Sequence, residues 1–279
     1  MTEIKNLDKL LDAMGVVKWV PKQILGLLGE GWFLLEINPT PPENQIIAVT
    51  TDLVKDEFIA VENGTVFHSD LCKSNVHKLK SQWKRAVEGI KREKYTVAIY
   101  PGSDGILNSQ PIAVVLDPPI NYTVYPDHKH LNIGGRYSED LILPDTICYT
   151  DNPEELGEEL DKRIFQAYKY VTVWLYRHQL WLACRELKVE EKWIGTQVKN
   201  FDNRNYIYAI EPIGRCRCGS DKEYIECHMP EDFSYFKNIS LKSAENYIKN
   251  NRVSVIKEYA EKFASPRNLA LQLLLENLT

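Results

Sequence analysis

The chain is organised around the stretch from His130 to Trp193, whose first part, His130 to Tyr149, reads HLNIGGRYSEDLILPDTICY. This first part opens on a short apolar segment that contains Asn132 and passes through two adjacent glycines. It ends at Cys148, which lies between a β-branched and an aromatic residue. An Asp-Asn-Pro helix start follows at 151–153. A cysteine before a helix start, together with an upstream amide donor, is typical of a nucleophile with an oxyanion site.

A long amphipathic helix is predicted after this stretch, over 153–187, with Asn152 or Asp151 as its cap. The partial positive charge at a helix N-terminus would favour the thiolate of Cys148. Asp145 and Asp151 flank the cysteine and could orient or deprotonate an incoming amine. The same acids would raise the pKa of a nearby thiol, so the pattern alone does not indicate a fully activated nucleophile.

Upstream, helical and strand-like stretches alternate. Helical spacing predicts helices over 4–28, divided at Pro21, and over 74–92. The Asn-Gly pair at 63–64 predicts a hairpin, because it supplies the positive φ angles of a type I′ turn. The runs that predict strands are 32–37, 46–51, 58–61, 65–68, 95–100 and 112–116.

Downstream, 198–213 has a strand-like pattern and 232–279 is predicted to be helical, with breaks at 250–251 and 265–266. We therefore expect an α+β protein with a central antiparallel sheet, helices on one side, a metal knuckle and a helical tail. The expected regions are 1–73 (N-terminal helix and β-meander), 74–200 (core) and 201–279 (knuckle and tail). Residues 1–73 either contain the first strands of the core fold or form a separate module.

Composition narrows the class of protein. The 279-residue chain has a formal charge of −5, 44% hydrophobic and 26% charged residues, which is typical of a soluble globular protein. A chain-wide basic surface for nucleic acid is absent. No apolar run approaches the roughly 18 residues of a membrane span, and Met1–Asn6 shows no signal-peptide pattern. These features predict a cytoplasmic protein without membrane partners.

The six cysteines fall into two groups. Cys72, Cys148 and Cys184 are scattered along the chain. The other three lie near one histidine in the pattern C-x-C-x8-C-H: Cys216, Cys218, Cys227 and His228. Zn²⁺ prefers four tetrahedral sulfur and nitrogen ligands, and a set of three Cys and one His leaves no position for water. The pattern predicts structural zinc and no other cofactor.

This metal-ligand pattern, with an internal Gly-Ser-x-Lys-x-Tyr, resembles the SEC-C zinc motif. That motif is found at the tail of the bacterial preprotein translocase ATPase and in many other bacterial proteins. The resemblance covers about fifteen residues and implies a docking module. One departure is Arg217, which stands where the motif usually has Pro.

The succession of strands 95–100 and 112–116, Pro118-Pro119, His130-Leu-Asn-Ile, Ile147-Cys148 and a long helix resembles the core of a ubiquitin-conjugating enzyme. Trp174-Leu175, Trp181-Leu182 and Trp193-Ile194-Gly195 are similar to the pattern that ends the bacterial branch of this family. The resemblance covers roughly 75–200. It departs from the family at Leu131, which replaces Pro, and in a longer segment before the cysteine, with Arg136–Leu143 as the apparent insertion.

The resemblance implies that Cys148 forms a thioester, that Asn132 stabilises the oxyanion and that His130 is structural. It implies a transferase of bacterial antiphage systems, including those built around cyclic-oligonucleotide signalling enzymes. The implied partners are a ubiquitin-like modifier, or a target protein whose C-terminus is conjugated, such as a cyclic-oligonucleotide synthase. No G-x-x-x-x-G-K-[ST] loop is present, so an adenylating enzyme would act in trans.

Two other functions stay open. The chain could be an inactive conjugating-enzyme-like scaffold that recruits a partner through the knuckle, and a scaffold needs no accessible thiol at Cys148. It could also be a nucleic-acid adaptor, which would require Arg215, Arg217 and Lys222 to form a continuous basic patch. The neighbouring acids argue against that patch.

Overall fold

The computed structural model describes residues 2–29, 31–40, 50–54, 57–62, 65–69, 85, 88–90, 92–102, 111–122, 128, 130–150, 152–186 and 207–278. The chain is α+β, as predicted, with an antiparallel six-stranded sheet. The elements in chain order are α1 (Thr2–Ala13), β1 (Val16–Val20), β2 (Trp32–Ile37), β3 (Thr50–Val54), β4 (Glu57–Glu62), β5 (Thr65–Ser69), β6 (Tyr95–Tyr100), β7 (Ile112–Asp117), β8 (Leu131–Asn132), β9 (Gly135–Arg136), β10 (Ile142–Leu143), β11 (Thr146–Ile147), α2 (Leu160–Glu186), α3 (Met229–Lys237), α4 (Leu241–Asn250), α5 (Arg252–Tyr259) and α6 (Ser265–Leu278).

The main sheet has the strand order β1-β2-β6-β7-β11-β8, and every neighbouring pair is antiparallel. Its central strands are almost continuously apolar, as in Tyr95–Tyr100, which reads YTVAIY. Such a pattern is expected when both faces of a strand are buried. Strands from 16–37 and from 95–117 share this sheet, so it joins residues on both sides of the expected boundary at 73. The first strands of the fold therefore come from 1–73, while the three-region division stays a prediction.

Helices cover both faces of this sheet, so the expectation of helices on one side is wrong. Phe33, Leu35 and Val97 belong to the core that includes α1 and α2. The alternate residues Trp32 and Leu34 belong to a second core with α6, which contributes Ala270, Leu274 and Leu278. Successive side chains of a strand point to opposite faces, and this alternation gives each face its own layer.

The N-terminal region contains one helix followed by a strand. Helix α1 ends at Ala13, and Gly15 in the turn that follows has a φ of +70°, which suits glycine. The first predicted helix is shorter than expected, because Val16–Val20 forms β1 against β2. The helix predicted after Pro21 is wrong, because residues 21–29 form bends and turns. The β-branched run at 16–20 satisfies its backbone on a neighbouring strand, a long-range pairing that helical spacing of apolar residues does not reveal.

The predicted hairpin is confirmed. Strand β4 pairs with β5, and Glu62 lies opposite Thr65, which leaves a two-residue connection. These strands and β3 form a separate three-stranded sheet. The strand predicted at 46–51 is described only from residue 50 onward, where β3 begins, and most of the helix predicted over 74–92 lies outside the described residues.

The tail is helical, as predicted, and α4 ends at Asn250-Asn251. A break at Ser265-Pro266 is not found, because a π-helical turn at Ala260–Ala264 joins α5 to α6. Pro266 lies in the first turn of α6 and, since it has no N–H, donates no bond to the helical turn before it. The predicted strand at 198–213 is wrong over 207–213, which forms 3₁₀ and turn structure. No helix within the described part of the chain combines the length and apolarity needed to cross a membrane.

Candidate functional site

Cys148 follows the last residue of β11, the strand that lies between β7 and β8. Ile147 is opposite Ala113 on one side and Leu131 on the other. The backbone N–H of Cys148 donates to the carbonyl of His130 at 2.9 Å and extends the β8–β11 ladder by one step. Cys148 is partly exposed and forms no disulfide. The sheet therefore fixes the backbone of the cysteine and leaves its side chain accessible.

The same ladder places Asn132 near Cys148. Asn132 lies opposite Thr146, and Thr146 and Cys148, two residues apart, project from the same face of the ladder. Asn132 is therefore a diagonal neighbour of Cys148, and such pairs lie roughly 7–8 Å apart. Asn132 is half-buried, and no residue in the described ranges forms a hydrogen bond with its side-chain amide. The amide can therefore turn toward a group bound at the cysteine.

The surroundings of the thiol differ from the expectation in one respect. The long helix begins at Leu160 and not at Pro153, because Pro153–Leu156 forms a separate 3₁₀ turn. The long helix therefore begins twelve residues after Cys148, and its N-terminus does not directly follow the cysteine as expected. The thiol donates weakly to the carbonyl of Thr150 at 3.8 Å.

The structure describes only one of the two acids that flank the cysteine. Asp145 accepts hydrogen bonds from the Gly134 N–H at 2.7 Å and from Arg267 at 3.3 Å. These two bonds make it a structural carboxylate rather than a base for an incoming amine. Asp151 lies outside the described residues, as do Cys72 and the side chain of Cys184.

His130 is buried, in agreement with a structural role, and it lies beside a histidine pair that sequence reasoning missed. His128 and His178 are joined by a 3.0 Å hydrogen bond between ring nitrogens, and both are almost fully buried. Trp174 stacks on His178 with centroids 5.0 Å apart, and Trp181 contacts His128 edge-on at 4.6 Å. His178 follows Trp174 by four residues and precedes Trp181 by three, a spacing that places all three on one face of α2.

Burial is the main reason why both histidines stay neutral. It lowers the pKa of His128 to about 2 and that of His178 to about 3, and His178, His130 and Arg185 add to the effect on His128. An unfolded histidine has a pKa of about 6.5, so below that pH the unfolded chain binds more protons than the folded one. The stability supplied by this pair is therefore present above pH 6.5 and is lost as the pH falls toward 3.

We expect the free energy of unfolding to fall between pH 7.5 and pH 5, by up to about 1.4 kcal/mol per pH unit for each histidine. His178→Phe keeps a ring against Trp174. It should roughly halve the contribution of the two histidines to the pH dependence of the free energy of unfolding. The measurement is urea unfolding at several pH values, with the wild type and the variant compared at each one. Identical pH dependence in the two proteins would show that the pair is not responsible.

The second candidate centre is the Cys/His cluster. Cys216, Cys218, Cys227 and His228 bring their ligand atoms within 4.8 Å of one another. Cys218 Sγ and Cys227 Sγ are 3.7 Å apart, and His228 Nδ1 lies 3.2 Å from Cys216 Sγ and 3.3 Å from Cys227 Sγ. A zinc tetrahedron with ordinary bond lengths has S···S edges of about 3.8 Å and S···N edges of about 3.5 Å. The cluster can hold a metal ion and is consistent with zinc.

The backbone around the cluster turns tightly. Gly219 has a φ of +78° and donates its N–H to the carbonyl of Cys216 at 3.1 Å. Positive φ favours glycine, so this residue allows the chain to bring Cys216 and Cys218 to one point. Hydrogen bonds with Ser220 lower the pKa of the Cys218 thiol to about 6, which favours the thiolate that a metal requires.

Arg217, the departure from the SEC-C pattern, has a structural explanation. Its guanidinium binds both carboxylate oxygens of Asp232 on α3, with one of the two distances 2.8 Å. Tyr224 donates its hydroxyl to the same carboxylate at 2.6 Å. The Arg217 and Asp232 side chains are 17% and 8% exposed, and removing one partner from so buried a pair leaves an uncompensated charge. Arg217 therefore connects the Cys/His cluster to helix α3.

The basic patch that a nucleic-acid adaptor requires gains no support from these arginines. Arg217 is turned inward to Asp232, and Arg215 pairs with Asp221 at 3.1 Å. Both guanidinium charges are balanced by a carboxylate at close range, which leaves Lys222 alone among the three basic residues considered. A phosphate backbone is bound by several uncompensated cations.

Comparison of the chain with protein-family models, curated proteins and solved structures finds no match. The support for a function therefore comes from the described fold and from the two centres.

Proposed function

We propose that this chain is a cysteine acyltransferase of the ubiquitin-conjugating type, with Cys148 as the residue that carries the acyl group. The observation that carries the proposal is the β8–β11 ladder, which places a partly exposed cysteine on the same face as an asparagine whose amide has no partner among the described residues. An acyl-transfer site needs a nucleophile and a hydrogen-bond donor for the oxyanion that forms on the carbonyl. Cys148 and Asn132 supply these two groups.

The proposed reaction has two steps. The Cys148 thiolate first attacks the thioester that links a ubiquitin-like modifier to an adenylating enzyme, and the thiolate of that enzyme leaves. A lysine amine of the target then attacks the new thioester, Cys148 leaves as a thiolate, and the amine proton passes to a base or to water. Asn132 donates its amide N–H to the oxyanion in the second step. The acyl group ends in an amide bond.

The order of elements supports the family assignment. Helix α1 is followed by β1 and β2, which form the first strands of the sheet. Strands β6 and β7 come next in the sheet and are antiparallel to their neighbours. His130, Asn132 and Cys148 then precede the long helix α2, as the resemblance to conjugating enzymes implies. The hairpin of β9 and β10 spans the apparent insertion, and it packs against the tail helix α6 and the π-helical turn before it.

The Cys/His cluster is proposed to be a structural zinc knuckle of the SEC-C kind. Four protein ligands leave no open position on a tetrahedral ion, so the ion would hold the segment 216–228 and take no part in acyl transfer. The knuckle and the adjoining helices would then serve to dock a partner protein. Service in a bacterial antiphage system belongs to the same proposal.

The test is to incubate the wild-type protein with an adenylating enzyme and a modifier encoded beside it, together with ATP. A covalent adduct should form whose mass equals the two proteins less one water, and a thiol reagent should cleave it. If every such modifier fails to form an adduct while the adenylating enzyme is charged, the scaffold function replaces this one. Mass spectrometry under non-reducing conditions distinguishes the two outcomes.

Asn132→Ala should lower transfer from preloaded Cys148 to free lysine by roughly 10²–10³, because the oxyanion loses its donor. Thioester loading should change little by comparison. Single-turnover measurements separate the two steps. Asn152→Ala is a suitable control, since Asn152 is exposed, lies close to Cys148 in sequence and makes no capping bond. Equal losses in both variants would remove Asn132 from its proposed role.

A further inference from the structure

One carboxylate joins the two strands that carry the candidate nucleophile and its donor. Asp145 accepts from the N–H of Gly134 at 2.7 Å. Gly134 lies two residues after Asn132, and Asp145 lies three residues before Cys148. The bond therefore closes the end of the β8–β11 pair, at the point where the chain leaves β8 and where it enters β11.

The tail helix α6 holds that carboxylate in place. Arg267, in its first turn, donates to the same oxygen of Asp145 at 3.3 Å and to the Tyr259 hydroxyl at 2.8 Å. The Arg267 guanidinium also lies over the Tyr259 ring, 5.6 Å from its centroid. The Arg267 side chain is 12% exposed and that of Asp145 is 26% exposed. Water therefore screens this pair much less than an exposed ion pair.

Close packing between the tail and the same loop is an independent observation. A Cβ on Gly135 would lie 2.9 Å from Phe263 and 3.2 Å from the carbonyl of Lys262, both in the π-helical turn. Gly135 has a φ of +152°, a conformation that side chains rarely adopt. A Cβ on Gly134 would lie 2.4 Å from the carbonyl of Leu143. Gly135 allows the loop to pack directly against the tail, and Gly134 allows the two sides of the loop to approach each other.

We infer that Arg267 is a positioning residue for acyl transfer, acting through Asp145 and Gly134 on Asn132. This inference rests on the proposed function of Cys148 and Asn132. Without the arginine, Asp145 loses the cation that fixes its oxygen, and the end of β8 is held less firmly. An oxyanion donor must be placed accurately, and a displacement of about 1 Å can cost on the order of 10²-fold in rate. Cys148 itself keeps its backbone bond to His130.

The experiment compares three single variants of the full chain. Arg267→Met removes the charge and keeps a long side chain, and Arg267→Lys keeps a cation. Lys257→Met is the matched control, because Lys257 lies in the neighbouring helix α5, is exposed and pairs only with Glu261 among the described residues. At saturating lysine, Arg267→Met should transfer from preloaded Cys148 roughly ten to a hundred times more slowly. Loading should change less than transfer, Arg267→Lys should recover most of the rate, and Lys257→Met should match the wild type.

Hydrogen exchange tests the same inference without any acyl transfer. In Arg267→Met the Gly134 amide should exchange about ten times faster or more, while amides of β6 exchange at the wild-type rate. If wild-type protein forms no thioester, the proposed function fails and this measurement alone decides the structural part. Unchanged exchange at Gly134, or faster exchange throughout the sheet, would overturn the inference. So would a loss of transfer that Arg267→Lys does not restore.

Discussion

Replacing Cys148 by Ala is expected to abolish the covalent adduct between this chain and a protein modifier. The reaction needs a thiolate that a bulky thioester can reach. Cys148 is partly exposed at the end of β11. Three of the six cysteines belong to the Cys/His cluster, and thiolates held by a metal in a closed site would be poor nucleophiles toward a protein. The measurement is a non-reducing gel with mass spectrometry of the band.

Cys148→Ser gives the prediction a positive counterpart. A serine hydroxyl attacks a thioester more slowly, and the resulting oxyester resists the thiol reagents that cleave the wild-type adduct. The variant should therefore trap a thiol-resistant adduct at the same position. Mapping of the modified peptide to 130–150 would fix the site.

The controls for Cys148 are the other two scattered cysteines. Cys72→Ala and Cys184→Ala should both retain a thiol-sensitive adduct at the wild-type level. Persistence of the adduct in Cys148→Ala, or its transfer to Cys72, would refute the assignment. A complete absence of adduct in the wild type, with a charged adenylating enzyme, would favour the scaffold function.

Replacing Cys218 by Ser is expected to release the bound metal and to unfold the knuckle. Apparent binding energies of structural zinc reach about 10–16 kcal/mol in zinc-finger peptides, which is as large as the whole stability of many domains. The wild type should contain close to one zinc per chain by elemental analysis, and the variant should contain almost none. Wild-type protein purified without any metal would contradict the prediction.

Loss of the metal should also affect the residues that pack against the Cys/His cluster. Cys216 and Tyr224 are buried in the same core as the sheet, and Arg217 connects the cluster to Asp232 on α3. Hydrogen exchange should therefore accelerate over 214–230 and into α3. Strand β6, which is buried on both faces, should keep its protection.

Lys222→Ala is the matched control for Cys218→Ser. Lys222 lies in the same loop and its side chain is exposed, while its backbone carbonyl accepts from Cys216 in either protein. Zinc content and exchange should match the wild type. A similar loss of metal in Lys222→Ala would show that any substitution in this loop releases the metal. The result for Cys218→Ser would then not identify a ligand.

Local pattern was enough to predict part of the fold and one of the two centres. The hairpin at β4 and β5 follows from Asn-Gly geometry, and strands β6 and β7 follow from short apolar runs. The ligand atoms of the Cys/His cluster converge, because the four residues lie within thirteen positions and Gly219 permits the turn. In each case the contacts that matter lie close together in the chain.

Packing reversed the local pattern in the N-terminal region. Apolar spacing over 4–28 predicted two helices divided at Pro21, but Val16–Val20 pairs with Trp32–Ile37 and residues 21–29 form bends and turns. The sequence of the last helix also does not indicate where that helix packs. Helix α6 covers the second face of the sheet through Ala270 and Leu274, and no periodicity within the tail specifies which surface it will cover.

Propensity, periodicity and ligand spacing act over a few residues, so the α+β class, strands β2, β6 and β7 and the set of candidate metal ligands could be predicted from the sequence. Only the tertiary structure decided which groups surround the candidate nucleophile. Asp145 is bound by an arginine 122 residues away, and His128 is joined to His178 across 50 residues. Both pairs form because the sheet and its two helical layers bury them together, and the free energy of that burial depends on the whole packed chain rather than on either neighbourhood.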